Sequence, residues 1–299
     1  MLWINITGRE RADIDRIAHI LKLDPQCIRD IGTNTSAFRI KTYGEYLHFD
    51  VASLEGEDKS EITFLSKPKS VKLDFIVGKL WLITLHNERL KFLEDFRDQD
   101  CGETFIGRLN AAALASSLLD WHLEPFLSAS EKLENYCDDM DQRIIKFSPK
   151  NSTILPKIVQ SRLYISGLRR LLVPQRSVFY GLSRADVALI TTNTSGNPFQ
   201  NLEHHYERAV DIVEHGRDLV RSSFDLYSTR IAETTNVLIR RLTFISIMLG
   251  AIGAVAGVFG MNFDTPYAHT GELGFWAVII CLSVIGIAFG FLSKWKKWI

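Results

Sequence analysis

Asp211, Asp218 and Asp225 stand seven residues apart, and the same register runs on through Ala232 to Ile239, Ser246, Gly253 and Gly260. A second column, offset by three, carries Asn236, Thr243, Gly250 and Gly257. Residues three, four and seven apart share one face of a helix, and a heptad register drifts only about 20° per repeat on a straight one. The stripe therefore collects both hydroxyls and every glycine of the apolar segment 242–260, leaving Phe244, Ile247, Leu249, Val255 and Val258 to the other faces. A helix surrounded by lipid has no need to segregate its small and polar residues. Two chemistries fit. The stripe makes a close helix–helix contact of the small-xxx-small type, as Gly253 and Gly257 permit. Or it lines a water-filled path whose inner mouth is an acid column that concentrates cations.

The elements that must position these residues follow from the charge pattern. Residues 242–260 and 274–293 are two uncharged runs, each close to the roughly 20 residues that cross a bilayer as a helix. A pair of buried core helices is the alternative. Arg230, Arg240 and Arg241 precede the first run, and Lys294, Lys296 and Lys297 follow the second. The intervening loop 261–273 has neither Lys nor Arg but carries Asp264 and Glu272. The positive-inside rule then puts both termini in the cytoplasm and the loop outside, with Trp276, Trp295 and Trp298 at the interfaces. From Phe199 to Gly260 there is no proline, and Gly216 is the only glycine before Gly250. This predicts one helix of about 60 residues, roughly 90 Å long, running from the cytoplasm through the membrane.

Upstream, the first hundred residues read as mixed α/β. Strand patterns are "LWINI", "EYLHFDVAS", "EITFLS", "VKLDFIV" and "LWLITLH", with turn signals at Gly44, Lys67-Pro68 and Gly78-Lys79. "DIDRIAHILKL" is an early helix opened by Asp13. From about Glu88 the pattern turns helical, with Pro125 as a kink and Pro174 interrupting a second helical region, 155–190. The turn-rich "NTSGNP" ends that region.

Composition narrows the function. Thirty-five basic and 35 acidic side chains in 299 residues give no reason to expect a nucleic-acid partner. Cys27, Cys101, Cys137 and Cys281 lie far apart, which suits a reducing compartment and argues against a cysteine-built metal site. The N-terminus has no export signal, so the sequons at Asn5, Asn34, Asn151 and Asn193 are expected to be chance. No phosphate-cradling loop, dinucleotide fingerprint, H-E-x-x-H or G-x-S-x-G appears. The adjacent His204 and His205 diverge by about 100° on a helix and are expected to be solvated. An enzyme is not expected.

The apolar stripe ends in "AGVFGMNFDTP". Gly260-Met261-Asn262, closing the first of two C-terminal spans, resembles the signature of the CorA family of magnesium and cobalt channels. The likeness extends to "DLYSTRIAETTNVLIRRLT", the acidic "GEL" in the loop and the lysine-rich "KWKKWI", and is clear over about residues 200–299. It implies a cytoplasmic α/β funnel, a homopentamer in the cell (inner) membrane and gating by intracellular metal. It further implies that Asn236 forms a polar ring at the cytoplasmic membrane edge, with Ile239 and Leu242 as a hydrophobic constriction. Asp225 becomes an acid of the inner mouth, and Gly260, Met261 and Asn262 the selectivity segment.

Asn262 and Asp225 are thus the residues expected to meet the ion. Magnesium sheds water reluctantly. A ring of neutral Asn262 carbonyls can hydrogen-bond its hydration shell yet release it, and the small Gly257 and Gly260 leave room for a hydrated ion. Three features depart from the family pattern. The first span lacks a midway proline, the loop lacks Met-Pro before Glu272-Leu273, and Asn201 stands where an acidic regulatory ligand is expected.

The expected organisation is an α/β then α-helical cytoplasmic domain (1–195), the cytoplasmic stalk (196–241), a first span (242–260) and an external loop (261–273). A second span (274–293) and a basic tail (294–299) complete it. The expected function is passive flux of a divalent cation, magnesium first and cobalt or nickel next, with no tightly bound cofactor. The partners are further copies of the chain, the bilayer and the cation. The alternatives are a zinc transporter of the ZntB type, which His204, His205 and His269 keep open and intact Met261 disfavours, and a membrane-anchored sensor or scaffold.

Overall fold

A computed structural model describes residues 1–32, 38–55, 67–98, 109–146, 153–184, 186–187, 197–260 and 271–295. The described chain divides into two compact units. The first is residues 1–143 with 151–224, the second residues 144–150 with 225–299.

The first unit holds a five-stranded sheet of β1 (Leu2–Thr7), β2 (Ile40–Tyr43), β3 (Tyr46–Leu54), β4 (Ser70–Val77) and β5 (Trp81–His86), in the order β1-β5-β4-β3-β2. β1 runs parallel to β5, and the other pairs are antiparallel. The helices α1 (Arg11–Leu21) and α2 (Pro25–Gly32) cover one face, packing Ile14, Ala18, Cys27 and Ile31 on Ile6, Tyr46, Ile76, Ile83 and Leu85. Alternation sends Phe49 and Phe75 to the other face, where the register sets them opposite and their rings stack at 4.9 Å. The helices on that side are α3 (Lys91–Asp98), α4 (Ala111–Ile145), α5 (Ile154–Leu172) and α6 (Arg176–Leu182), the last two joined by a 3-10 turn at Val173–Gln175. Gly167 lies close against Pro68 and Gly181 against Ile40, and a Cβ at either would stand 2.7 Å from its neighbour's side chain.

Four of the five expected strands are present, while "EITFLS" lies outside the described residues. β2 is an addition, a short edge strand paired through the Gly44 turn, whose φ of 66° suits glycine. The early helix begins at Arg11 rather than Asp13 and stops where Lys22 turns left-handed (φ 52°), so Pro25 opens a separate α2. Pro125 sits inside an unbroken α4, and Pro174 falls in the 3-10 turn.

Both layers carry buried polar ties. The register sets Asp50 and Asp74 opposite each other, a like-charge pair that needs cations. Asp74, wholly buried, takes the Arg9 guanidinium and sits 2.9 Å from His48 Nε2, while Lys72 Nζ lies 3.4 Å from Asp50. On the other side, Gln175 donates its amide to the Ala52 and Leu171 carbonyls (3.0 and 2.8 Å). Its oxygen is therefore left to accept from His122 Nε2 at 3.1 Å.

Burial pushes His122 down to about 4, only partly offset by Gln175. The unfolded chain thus binds a proton at His122 near pH 6.5 that the folded chain refuses until about pH 4. Stability falls as pH drops through that window, by roughly 3 kcal/mol if the full shift is expressed. His122→Gln, which keeps a donor for Gln175, is expected to remove that component. Melting of the detergent-solubilised protein between pH 7 and 4 should show the variant losing less stability than the wild type, and identical pH slopes would refute the assignment.

Candidate ion path and its charged surroundings

The expected long helix is α7, Leu202–Phe259, 58 residues without a break. Its buried face in the first unit is Leu202, Tyr206, Ala209, Val213, Gly216 and Val220, at the three-and-four spacing of a packed stripe. Tyr206 fixes the register. Its ring stacks on Phe179 at 4.4 Å, and its hydroxyl donates to the Leu172 and Val173 carbonyls at 3.0 and 3.1 Å.

The acids of α7 fall into two classes. Glu207 and Glu214 are tied down: Arg176 of α6 grips Glu207 with two hydrogen bonds (3.2 and 2.9 Å), and Arg169 of α5 pairs with Glu214. Partial burial raises the Glu207 carboxyl, but hydrogen bonds from Arg176 and Tyr180 outweigh it and hold the group below the usual range. Asp211, Asp218 and Asp225 are all exposed, and Asp211 lies opposite the buried stripe. Among the described residues Asp211 and Asp225 have no side-chain partner, and Asp218 meets only its neighbour Arg217 at 3.4 Å.

This partition was not foreseen, although a signal existed. Arg169 and Arg176 are seven apart, as are Glu207 and Glu214, which is what two packed antiparallel helices require for successive ion pairs. His204 is solvent-exposed as expected, whereas His205, though exposed, meets Asp120 of α4 at 2.5 Å.

In the second unit, Arg230 spans Glu233 at 2.9 Å and the carbonyl of Ile145, the last residue of α4, at 3.2 Å. A guanidinium here satisfies an orphan carbonyl at a helix C-terminus and complements its dipole. Asn236, Ile239, Leu242, Thr243, Ser246, Gly250, Gly253 and Gly257 all lie on α7 beyond this point. Gly260 follows directly, its amide donating to the Ala256 carbonyl at 2.9 Å. Met261, Asn262 and Asp264 lie outside the described residues. Glu272 is in the first turn of α8 (Gly271–Trp295).

Among the described residues two helices are long and apolar enough to cross a membrane, with 18-residue windows of mean hydropathy 1.8 in α7 and 2.0 in α8. None of either window is buried within the chain, so the alternative of two buried core helices does not hold. An added Cβ at Gly250, Gly253 or Gly257 would meet no atom within 4 Å, so nothing in one chain explains glycine there. No group of three His, Cys, Asp or Glu among the described residues could hold a metal.

An α/β domain joined by one continuous helix to two apolar spans defines a membrane protein anchored by a C-terminal hairpin. The family model described as CorA-like Mg2+ transporter protein matches residues 1–295, and the chain belongs to that family of divalent metal-ion transporters. The cobalt/magnesium transport protein CorA of Thermotoga maritima is 24% identical over 299 residues, covering 99% of this chain and 83% of that one. Among solved structures, the complete CorA magnesium transporter of Methanocaldococcus jannaschii superposes with a TM-score of 0.77 at 17% identity, covering 99% of this chain and 91% of that chain. The ZntB cytoplasmic domain from Vibrio parahaemolyticus gives 0.54 at 11% identity, over 77% of this chain and 88% of that one. These superpositions establish a shared fold.

The bare glycines yield a test. In one isolated chain Gly253→Leu replaces the poorest helix former after proline and meets no obstacle. If the stripe faces other copies, the variant should keep its helix content by circular dichroism yet lose its native oligomer in detergent. A Gly253→Leu protein with wild-type mass and transport would show that the stripe faces lipid.

Proposed function

We propose that the chain is one subunit of a passive divalent-cation channel, selective first for magnesium, in which several copies, five by family analogy, set their α7 helices around a common axis. The observation that carries the reading is the continuous α7, which bears an exposed acid column at one end and uncovered glycines at the other. Two spans per chain cannot enclose a pore, so the path needs copies. On this reading residues 1–195 are the cytoplasmic domain, 196–241 the stalk, 242–260 and 274–293 the spans, and both termini are cytoplasmic.

Asp211, Asp218 and Asp225 raise the cation concentration at the inner mouth. Asn236 is the polar ring, Ile239 and Leu242 form the constriction, and Thr243, Ser246, Gly250, Gly253 and Gly257 line the path. Gly260, Met261 and Asn262 receive the hydrated ion from outside, where Asp264 and Glu272 attract it. Inward flow needs no nucleotide, because two charges falling through about 100 mV gain roughly 4.6 kcal/mol. The chain therefore works as a transporter and not as an enzyme. Cobalt and nickel, of the same charge, are the next candidates. The likeness to a ZntB cytoplasmic domain and the imidazole pair His204-His205 favour zinc as the second reading.

Flux of magnesium, cobalt, nickel and zinc into liposomes containing the purified protein separates these readings. Magnesium should be carried without a proton gradient, by an assembly several times the mass of one chain. Asn262→Ala removes a carbonyl from every subunit at once, and a loss of about 1 kcal/mol per site, multiplied around the ring, should lower magnesium flux more than tenfold at equal oligomer yield. Asn262→Asp should hold the ion more tightly and pass it more slowly, while Asn236→Ala should have the milder effect. Wild-type flux through Asn262→Ala, or a monomer that transports, would sink the pore assignment.

A further inference from the structure

Two helices of the first unit, α4 and α5, carry opposite charge. Residues 131–141 of α4 hold Glu131, Glu134, Asp138, Asp139 and Asp141 against one base, Lys132, whereas α5 holds Lys157, Arg162, Arg169 and Arg170 and no acid. Both pack on α7: a Cβ at Gly216 would stand 3.1 Å from Ile165 of α5 and 3.7 Å from Leu133 of α4. At 100° per residue, Leu163 and Arg170 then point within about 40° of directly away from Ile165. Glu131 and Asp138 stand in the same relation to Leu133, and all four outward residues are exposed.

Leu155, Val159 and Leu163, four residues apart on α5, form an aliphatic row that is 41, 46 and 67% exposed. A single exposed leucine is ordinary, but a row of three on one helix face, rimmed by arginine, is the composition of a contact surface. Among the described residues Arg162 and Arg170 form no ion pair, and neither do Glu131, Glu134 and Asp138. The two sets do not meet within one chain, because both helices spend their inward faces on α7. A face of free guanidiniums and a face of free carboxylates on the same chain are complementary, and a second copy brings them together.

We propose that α5 of one copy docks on the acidic face of α4 in the next, with Leu155, Val159 and Leu163 at the centre and Arg162 and Arg170 paired to Glu131, Glu134 and Asp138. The inference rests on the proposed assembly of several copies around an axis, and names the surface of the first unit that joins them. The contact is heterologous: each copy offers α5 to one neighbour and α4 to the other. Contacts of that kind close into a ring when the rotation closes. An α5 face against another α5 face would set arginine on arginine, and an α4 pair carboxylate on carboxylate, so an isolated two-fold dimer is disfavoured.

Cross-linking of the full chain in liposomes tests this, in a Cys101→Ser/Cys281→Ser background that leaves the buried Cys27 and Cys137. Asn135→Cys lies between Glu131 and Asp138 on α4, and Ser166→Cys between Arg162 and Arg170 on α5; both positions are exposed. A short bis-maleimide should give a ladder of covalent multimers only when one chain carries both substitutions, and neither single variant should pass beyond the monomer. Adding Arg162→Glu/Arg170→Glu should reduce the ladder more than tenfold, since like charges across an interface are strongly unfavourable. Adding Glu131→Arg/Asp138→Arg to that chain should restore it, a result that misfolding does not produce. No ladder, a dimer from either single variant, a ladder indifferent to the reversal, or a reversal that the swap fails to rescue overturns the proposal. Native mass of the unsubstituted protein in detergent separates the two levels. An oligomer that gives no ladder refutes this surface alone, whereas a monomer refutes the proposed assembly and the surface with it.

Discussion

Everything depends on a single uninterrupted ladder of backbone hydrogen bonds. In hydrocarbon no water satisfies an amide or carbonyl, so a segment that crosses must close its own bonds, and a helix does so along its whole length. α7 meets that demand over 58 residues, roughly 87 Å at 1.5 Å per residue. No proline lies anywhere in it, so every backbone amide along α7 is available to donate. Thr229 and Thr234 donate their hydroxyls to the carbonyls one turn back, so these polar side chains are satisfied within the helix itself.

A helix of that length is located by its side chains, and the locating interactions are of different worth. The stacked Tyr206 ring with its buried hydroxyl is packed and dry, so it fixes rotation and height together. The Arg169 and Arg176 ion pairs are partly exposed and contribute little stability. Their consequence is electrostatic: they cancel Glu207 and Glu214 and leave the opposite face with the charges that remain. Glu207 and Glu214 are paired to neighbouring helices, whereas Asp211, Asp218 and Asp225 meet no residue of another element among the described residues.

The sheet solves a different problem with similar groups. Asp50 and Asp74 face each other inside the fold, where an unpaired charge would cost several kcal/mol, and Arg9, Lys72 and His48 converge on them. None of this was readable in the sequence, because the partners come from β1's trailing loop, β3 and β4 and meet only through strand register. Local signals served better. The long helix, both spans and four strands follow from composition and periodicity, since each is decided within its own residues. The short β2 has too few residues to show a pattern and exists because β3 offers it an edge. Likewise, Lys22 in the left-handed conformation, unusual for a residue with a Cβ, ends the expected early helix, and α2, which was not expected, follows from Pro25.

The stripe of small residues shows where sequence and single-chain structure meet the same limit. Spacing alone allows a packed helix pair or a wet wall, and in one chain Gly250, Gly253 and Gly257 touch nothing. Glycine in a helix costs about 1 kcal/mol relative to alanine at each position, which is tolerated where it permits something a Cβ would block. Within one chain nothing is blocked. The compensation therefore has to come from outside the chain, either as the backbone of another helix or as an ion with its water. On the proposed function both come from further copies, since α7 and α8 together cannot surround a path. The same argument reaches the acids: an exposed aspartate face opposite a packed one gains nothing for the fold of a single subunit, and the proposed assembly gives it a use. On the proposed function, the cost in helix propensity at one end of α7 and the exposed acids at the other are two consequences of one requirement, that this helix line a path shared by several copies.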